Sequence, residues 1–536
     1  MSPRDLISRT AIVLALALIL GVPFLLRPKS EAQASSAGGS SGGAAPAASS
    51  LKLVVVTPHV PQIRSEFEKA FTRWHQRTHG QPVAIDWRVP GGTSDILTQL
   101  EAQYQSAVRT GQVDLSDPRN PKIEPGTIAF DLMFGGGSYD HGRVKAGVKG
   151  TLTNKDGTTT NYAVPMSEPA GFDPTRMTDW FGDNSVGAQL LYDNDQHWIG
   201  VALSGFGLVY NREMLADLNI PTPTRFDDLA DPRLFGNVIL ADPRQSGSVA
   251  TTLDSILSNY GWDRGWRLIR EICANSRGFV NSAPKPPIDV SQGEAAAALA
   301  IDFYGRGQAQ AIVPPGEDPS NSRVGYVDPA GATYIDADPI SILRGGPNPA
   351  LARRFVEFCL TEEAQALWQF RARPRADNPT GASGEEMGPE QYELRRMPAR
   401  RVMYDKYKEH FIDQADPFEI ASKTLPRGWR GGLGIMMGAF AIDNAHAQRD
   451  AWSALLKARA TPTFPAATLA EMERLFYAFP PTTLPDGTTL EFTPDTFKQI
   501  EAAWKKSPQF RCRCEIEYTR WFRETYERVT ALGSSN

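Results

Sequence analysis

The strand–loop–helix pattern over Val238–Asn259 sets Ser246-Gly247-Ser248 at the start of its helix. Two hydroxyls and the free N–H groups of a first helical turn make a place to hold an anion. An N-cap serine also serves a helix that binds nothing, so the triplet has a structural reading beside the binding one. His59 follows directly on a strand end, which sets it at a loop rather than in a core. The histidines at 75, 79, 141, 197, 410 and 446 show no paired ligand spacing and read as surface residues. Cys512-x-Cys514 lacks a second ligand pair at zinc spacing. Outside the Gly/Ser/Ala run at 35–50 no nucleophile elbow, H-E-x-x-H or P-loop lysine motif occurs, and Ser204 has Ala202 rather than glycine two positions before it. The chemistry on offer is therefore grip rather than turnover. A carboxylate pair of the glycosidase kind is not readable from spacing, so an exported hydrolase stays as an alternative.

The elements that must hold these groups follow from periodicity. Leu51–Thr57 carries three consecutive valines, the pattern of a strand buried on both faces. A helix follows through Ile63, Phe67, Ala70, Phe71 and Trp74, then a strand over Val83–Val89 and a helix through Ile96, Leu97, Leu100 and Tyr104. Phe130–Phe134 is a further short strand ending in Gly135-Gly136-Gly137-Ser138. This rhythm predicts an open α/β sheet, with ligands beyond the carboxyl ends of its strands. The glycine-punctuated run Val201–Tyr210 feeds a helix start at Asn211 and reads as a crossing between lobes. Gly331–Leu343 reads as strand, turn, strand, with Tyr334 and Asp336 near a return crossing. Asn348 and Thr361 are predicted helix caps, and Trp262 and Trp266 core residues. Beyond Arg375 the chain reads as mostly helical. Arg395–Arg401 is there a solvated basic face, and Leu484–Phe492 a hairpin around Asp486-Gly487. No chemistry is apparent in that part.

Composition sets the class. The chain has 536 residues, enough for two or more lobes, and a net charge of −5 that gives no support to nucleic-acid binding. Arg4 and Arg9 precede the apolar run Ala11–Leu26, and Ala32-Gln33-Ala34 offers a cleavage site. Residues 1–34 thus read as a signal peptide or an uncleaved membrane anchor, and 35–50 as a Gly/Ser/Ala linker. Either way the bulk of the chain is expected outside the cytoplasm. The four cysteines fit an oxidising compartment, with three pairings open as well as buried free thiols.

From Leu51 to about Phe370 the pattern resembles the periplasmic solute-binding proteins of the ferric-iron ABC transporter family. Thr57-Pro58-His59, Gly91-Gly92-Thr93 and Phe134–Gly137 match three ligand loops. Ser204–Asn211 matches the crossover, Asp242–Ser248 the anion loop, and Pro339–Gln365 a late strand plus helix. The resemblance implies a two-lobed type 2 periplasmic-binding α/β fold with hinge crossovers, plus a helical C-terminal extension. Lobe 1 would take 51–166, lobe 2 167–325, the return to lobe 1 326–375, and the extension 376–536. It further implies an ABC-transporter receptor without catalysis or cofactor, monomeric, capturing a small anionic solute or Fe(III) for an inner-membrane permease. The implied ligand residues are Thr57, His59, Ser138, Ser204, Gln245, Ser246, Gly247, Ser248, Asp302, Tyr304 and Tyr334, with His59, Asp302 and Tyr304 as the metal set if the solute is iron. Iron-binding members carry adjacent tyrosines where this chain has Phe303-Tyr304, and Phe303 cannot bind a metal. A phosphorylated sugar or phosphonate is therefore favoured over ferric iron. A membrane-tethered sensor or adaptor that uses the extension is the remaining alternative.

Overall fold

In a computed structural model, residues 51–117, 120–153, 157–314 and 319–534 are described. The expected export segment and linker lie outside them. Among the described residues no helix is long and apolar enough to cross a membrane.

The site is positioned by one mixed sheet. Besides a two-residue strand at Ser167–Glu168 that pairs with Ile342 and Leu343, its strands are β1 (Leu51–Val56), β2 (Val83–Arg88), β3 (Leu132–Phe134), β4 (Ile199–Asn211), β5 (Val238–Ala241), β6 (Ser276–Val280), β7 (Ala297–Ile301), β8 (Val324–Val327), β9 (Ile335–Leu343) and β10 (Met397–Pro398). The order is β6-β5-β7-β4-β9-β3-β1-β2, with β8 and β10 paired to β4 off that path. β1 runs parallel to β2 and β3, and β5 runs parallel to β6 and β7. Between these two parallel sets lie β4 and β9, antiparallel to each other and to their outer neighbours. The first part of β4 pairs with β9, while Phe206–Asn211 pairs with β7 and β8. One strand thus passes from one half of the sheet to the other, and all thirteen of its residues are buried.

The glycines of β4 answer to packing. A Cβ on Gly205 would lie 2.1 Å from Asp328 Oδ1, and one on Gly207 2.1 Å from Val327 O. Gly207→Val should therefore cost about 1–3 kcal/mol by overpacking β8 against β4. A urea melt that matches the wild type would contradict this. At the strand's end the Asn211 side chain accepts from the N–H groups of Glu213 and Met214, so strand turns into helix as expected.

Each half has its own core. Leu53, Val55, Phe67, Phe134, Ile340 and Trp368 pack around β1, β3 and β9. Helix α1 (Pro61–His79) contributes through Ile63, Phe67, Phe71 and Trp74, one apolar face at helical spacing. The second core joins Leu240, Leu253 and Trp266 of the β5–β7 half to Trp452, Phe476 and Phe522 of the C-terminal part. Its helices include α2 (Gly247–Tyr260) and α3 (Trp262–Ala274). In the C-terminal part they are α4 (Arg430–Met437), α5 (Ala445–Ala460), α6 (Ala466–Tyr477), α7 (Pro494–Lys506) and α8 (Pro508–Ser534). The chain reaches them by a third passage between halves. Ala421 still lies in the first core, Ser422 N donates to Thr333 O at 2.8 Å, and Leu433 lies in the second core.

Several expectations are corrected. Ile335–Leu343 is one strand, not two around a turn. Asp336, Asp338 and Pro339 look like turn residues, but Pro339 sits where the β4–β9 register shifts, a place that tolerates proline in a ladder. His75 and His141 are buried, not on the surface. Each has polar partners: His75 Nδ1 lies 2.8 Å from Gln81 O, and His141 Nδ1 2.6 Å from Ser341 Oγ. Asn348 makes no side-chain cap; its amide donates to Lys52 O. Thr361 does cap, accepting from Ala364 N. The cysteines are free thiols, buried at 273, 359 and 514 and exposed at 512. A hairpin forms around Asp486-Gly487 as expected, but its strands are Thr482–Thr483 and Thr489–Leu490, so it begins and ends two residues earlier than Leu484–Phe492.

Candidate functional site

The carboxyl ends of β1 and β3 meet β9 at a buried polar floor. Thr57 Oγ1 donates to Phe134 O at 2.6 Å and accepts from His59 N at 3.1 Å, which fixes the turn that presents His59. The imidazole lies edge-on to Phe134, 4.5 Å between centroids, and its Nε2 is 3.2 Å from Asp338 Oδ2. Gly135 has φ +95°, and a Cβ there would fall 2.5 Å from that Nε2. The glycine loop after β3 is thus shaped by the histidine it covers.

The fourth partner comes from the C-terminal part. Arg396 pairs with Asp338, lies 3.1 Å from His59 Nε2, and donates to Ser204 Oγ. Its guanidinium stands 4.5 Å over the Phe303 ring, where desolvation strengthens a cation–π contact. Burial lowers the His59 pKa against the pull of Asp338, so the ring is held neutral. Burial pushes Asp338 upward, but Arg396 and His59 outweigh it and keep the carboxyl below its usual range. His59 Nδ1, Asp338 Oδ1 and Arg396 Nε are buried with no hydrogen-bond partner among the described residues.

A second patch lies along the same edge. Asp336 Oδ2 accepts from Ser138 N at 3.1 Å, while Oδ1 is buried without a partner. Asp254 Oδ1, on α2, is likewise buried and unpartnered. Burial raises both carboxyls to about 6. Arg430 of α4 donates to Thr251 Oγ1 at 2.6 Å and to Gly247 O at 3.2 Å, and stands 5.0 Å over the Tyr139 ring. Its charge draws Asp140, Asp254 and Asp336 down against burial.

A pH test follows. A carboxyl whose folded pKa exceeds its unfolded one costs stability above the folded value and nothing below the unfolded one. Asp336→Asn removes that cost and keeps an acceptor for Ser138 N. The variant should be more stable than wild type at pH 7.5 by about 2–3 kcal/mol, at roughly 1.4 kcal/mol per unit. The gain should shrink as pH falls through about 6 to 4 and vanish below about pH 3, where wild type is protonated in both states. A gain of equal size at both pH values, read from urea melts, would contradict it.

The loop after β5 is wired internally. Ser246 Oγ accepts from Val249 N at 3.3 Å, and the Ser246 and Ser248 hydroxyls are 3.2 Å apart. Asp242 holds Arg244, which also reaches Asp443 at 3.4 Å. Gln245 and Gly247 complete the turn, with Gln245 N donating to Asp242 O.

The structure brings Thr57, His59 and Ser204 together, with Tyr304 alongside: its ring lies tilted against Phe303, 4.0 Å between centroids, and Phe303 is the ring under Arg396. Ser138 contributes its N–H to the second patch. Tyr334 is buried there, with Ser258 beside its hydroxyl but outside hydrogen-bonding geometry. Asp302 points elsewhere, fully buried against Arg306 at 3.3 Å, in a network with Asp328 and Asp413. Burial raises it to about 7. The set His59, Asp302 and Tyr304 is therefore split by that network. Among the described residues no group of three or more His, Cys, Asp or Glu could hold a metal ion.

Four important residues escape sequence reasoning: Asp254, Asp338, Arg396 and Arg430. A signal existed for Asp338. Asp336-x-Asp338 in an extended segment puts two carboxylates on one face. Nothing distinguishes Arg396 from its basic neighbours Arg395, Arg400 and Arg401.

Residues 175–386 match the family model for bacterial extracellular solute-binding proteins. An uncharacterized protein of Haemophilus influenzae is 30% identical over 170 residues, 32% of this chain and 46% of that protein. The phosphoglycerate transport regulatory protein PgtC of Salmonella typhimurium is 24% identical over 240 residues, 43% of this chain and 56% of that one. The chain spans about half the length of these relatives. The ferric binding protein from Campylobacter jejuni is a solved structure with 15% identity and TM-score 0.44, over 74% of this chain and 98% of that one.

Proposed function

We propose that this chain, whose residues 175–386 carry a bacterial extracellular solute-binding domain, is the exported receptor of an ABC transporter. It holds a small phosphate- or phosphonate-bearing solute between the two halves of its sheet and delivers it to an inner-membrane permease. The lobes divide within β4 rather than at residue 167: Ala170, Trp180, Leu191 and Leu203 pack in the first core, and Leu208 in the second. The observation that carries the reading is the floor around β4 and β9. His59 Nδ1 and Arg396 Nε are buried nitrogens with no partner among the described residues, and both can donate to an oxyanion. Native interiors leave few such groups, because each costs about 1–3 kcal/mol unless something satisfies it.

Arg396 favours an oxyanion over ferric iron. Its guanidinium already occupies Asp338 and faces His59, so a trivalent cation at that floor would compete with a fixed cation for the same carboxylate. The name of the relative PgtC speaks of phosphoglycerate transport, which fits the same solute class. That name also says "regulatory", and it is the one observation that favours the sensor reading.

Thermal melting tests the reading. A sugar phosphate or phosphonate at 100 times its dissociation constant should add about 2.7 kcal/mol of stability. Ferric citrate should add none. No shift with any phosphorylated solute, together with a shift and visible colour on adding ferric citrate, would overturn it.

A further inference from the structure

The stretch Glu390–Asp413 of the C-terminal part is a strap that grips both halves of the sheet. Its roots lie in the first half. Glu66 of α1 is 1% exposed, and its carboxylate accepts from the N–H groups of Glu390, Gln391 and Tyr392 at 2.6, 2.9 and 3.0 Å. Three charge-assisted bonds from successive peptides make a firm anchor. Leu394, Met397 and Ala399 lie in the first core, and β10 pairs with Leu203 and Ala202 of β4. At the far end Asp413 N donates to Gln369 Oε1 at 3.0 Å, next to Trp368 of the same core.

Between these roots the strap reaches the second half. Its target is the helix Asp302–Ala311, which continues β7 and packs Ala309 with Val209, Ala298 and Val324. Arg395 Nη1 donates to Arg306 O at 2.8 Å, while its Nε and Nη2 clasp Asp413 at 2.9 and 2.5 Å. Asp413 in turn lies 3.7 Å from Arg306 Nε, and Glu393 accepts from Gln310 Nε2 at 2.5 Å. Both arginines are 6% exposed. Arg395 also has φ +54°, a left-handed conformation that a residue with a side chain keeps only where its surroundings hold it. That turn parts two adjacent guanidiniums: Arg395 goes to the second half, and Arg396 to Asp338 and Ser204 in the floor.

We infer that the strap is a latch, which holds the two halves closed without solute and admits solute only when Glu393, Arg395 and Asp413 let go of the helix Asp302–Ala311. Contacts made in one arrangement alone shift the population toward it by their own free energy. The chain passages at β4, β9 and Ala421–Leu433 can bend as the halves part, whereas these side-chain contacts must break. A second contact across the halves is of another kind: Arg430, held by α2, stands over Tyr139, which is 61% exposed. Water screens that contact, so it is not the latch. The latch itself stands on the strap's contacts; its effect on solute entry rests on the solute-binding reading above.

Spin-label distances in the full chain, with no solute added, test the latch. Gln105 and Asp217 are exposed positions on the helix Thr93–Arg109 of the first half and the helix after β4 in the second. Gln105→Cys with Asp217→Cys, in a Cys512→Ser background, labels them; small-angle scattering of the unlabelled chain gives an independent size. The wild type should show one narrow distance and a compact particle. Arg395→Gly keeps the left-handed turn and removes the guanidinium. It should broaden and lengthen the distance and enlarge the particle, and Gln310→Ala should do so in part. Tyr139→Ala should leave both unchanged. A single urea transition checks that each variant is folded; if Arg395→Gly is not, Gln310→Ala decides. Stopped-flow mixing with a sugar phosphate adds the kinetic arm. The wild-type rate should level off with concentration at the rate of release, and Arg395→Gly should bind at least tenfold faster there. A broad distance in the wild type, or an unchanged narrow one in the folded latch variants, would overturn the latch and leave the solute reading standing. A narrow distance that the latch variants broaden, with no binding of any phosphorylated solute, would support the latch and overturn that reading.

Discussion

Replacing Arg396 with alanine should destabilise the protein by about 3–5 kcal/mol, the range for stripping one partner from a buried ion pair. The reason is what would remain. Asp338 is 1% exposed, and without the guanidinium its charge has only His59, a ring that burial keeps neutral. Ser204 Oγ would lose its donor, and Phe303 its stacked cation. The loss should come mostly from the stranded charge rather than from the pair's own worth. Arg396→Met combined with Asp338→Leu should therefore recover much of it, because apolar replacement of both partners is often neutral. Arg396→Lys should fall between, keeping the charge but not the flat face over Phe303. Urea denaturation of the three variants decides. A double variant as unstable as Arg396→Ala would show that packing, not charge, is what the residue supplies.

The second large effect should come from Arg270→Ala, at about 4 kcal/mol. This arginine is 1% exposed with no acidic partner among the described residues; burial lowers its pKa. It donates to Phe476 O at 2.6 Å and Ala478 O at 2.9 Å, and its guanidinium lies 4.4 Å from Phe479, 4.8 Å from Phe440 and 5.1 Å from Phe522. Hydrogen bonds from a charged donor contribute about 1.5–3 kcal/mol each, and a desolvated cation–π contact about 2. All five of those residues belong to the C-terminal part, while Arg270 sits on α3 beside β5. One side chain thus fastens the extension to the sheet. A single cooperative transition at lower urea is the expected result. Two transitions, only one of them shifted, would mean the extension folds as a unit of its own.

These two arginines mark where the sequence was legible and where it was not. The strands, the crossing and the helix after Asn211 could be read because periodicity and capping are local. The wired loop at Asp242–Ser248 could be read for the same reason. His59 stood out because a strand end and a proline flank it. Arg396 could not be read, since its partners lie 337, 192 and 58 positions away at His59, Ser204 and Asp338, and a basic run looks the same whether solvated or buried. Asp302 misled for the opposite reason. The family resemblance set it among the ligand residues, yet Arg306 one helical turn on drew it into a private network. Pro339 hid a continuous strand because proline is read as a breaker, and a bulge accommodates it. The C-terminal part read as chemically silent. Its residues Arg396 and Arg430 nonetheless reach both patches of the site.

The central claim is that an anionic solute is held at the floor formed by His59, Ser204, Asp338 and Arg396. Isothermal titration of the full chain with sugar phosphates and phosphonates, in wild type and in the folded Arg396→Met/Asp338→Leu variant, tests it most directly. One-to-one binding of at least one solute by wild type, weakened at least tenfold or abolished in the variant, is the predicted result. Equal binding by both proteins would contradict the claim.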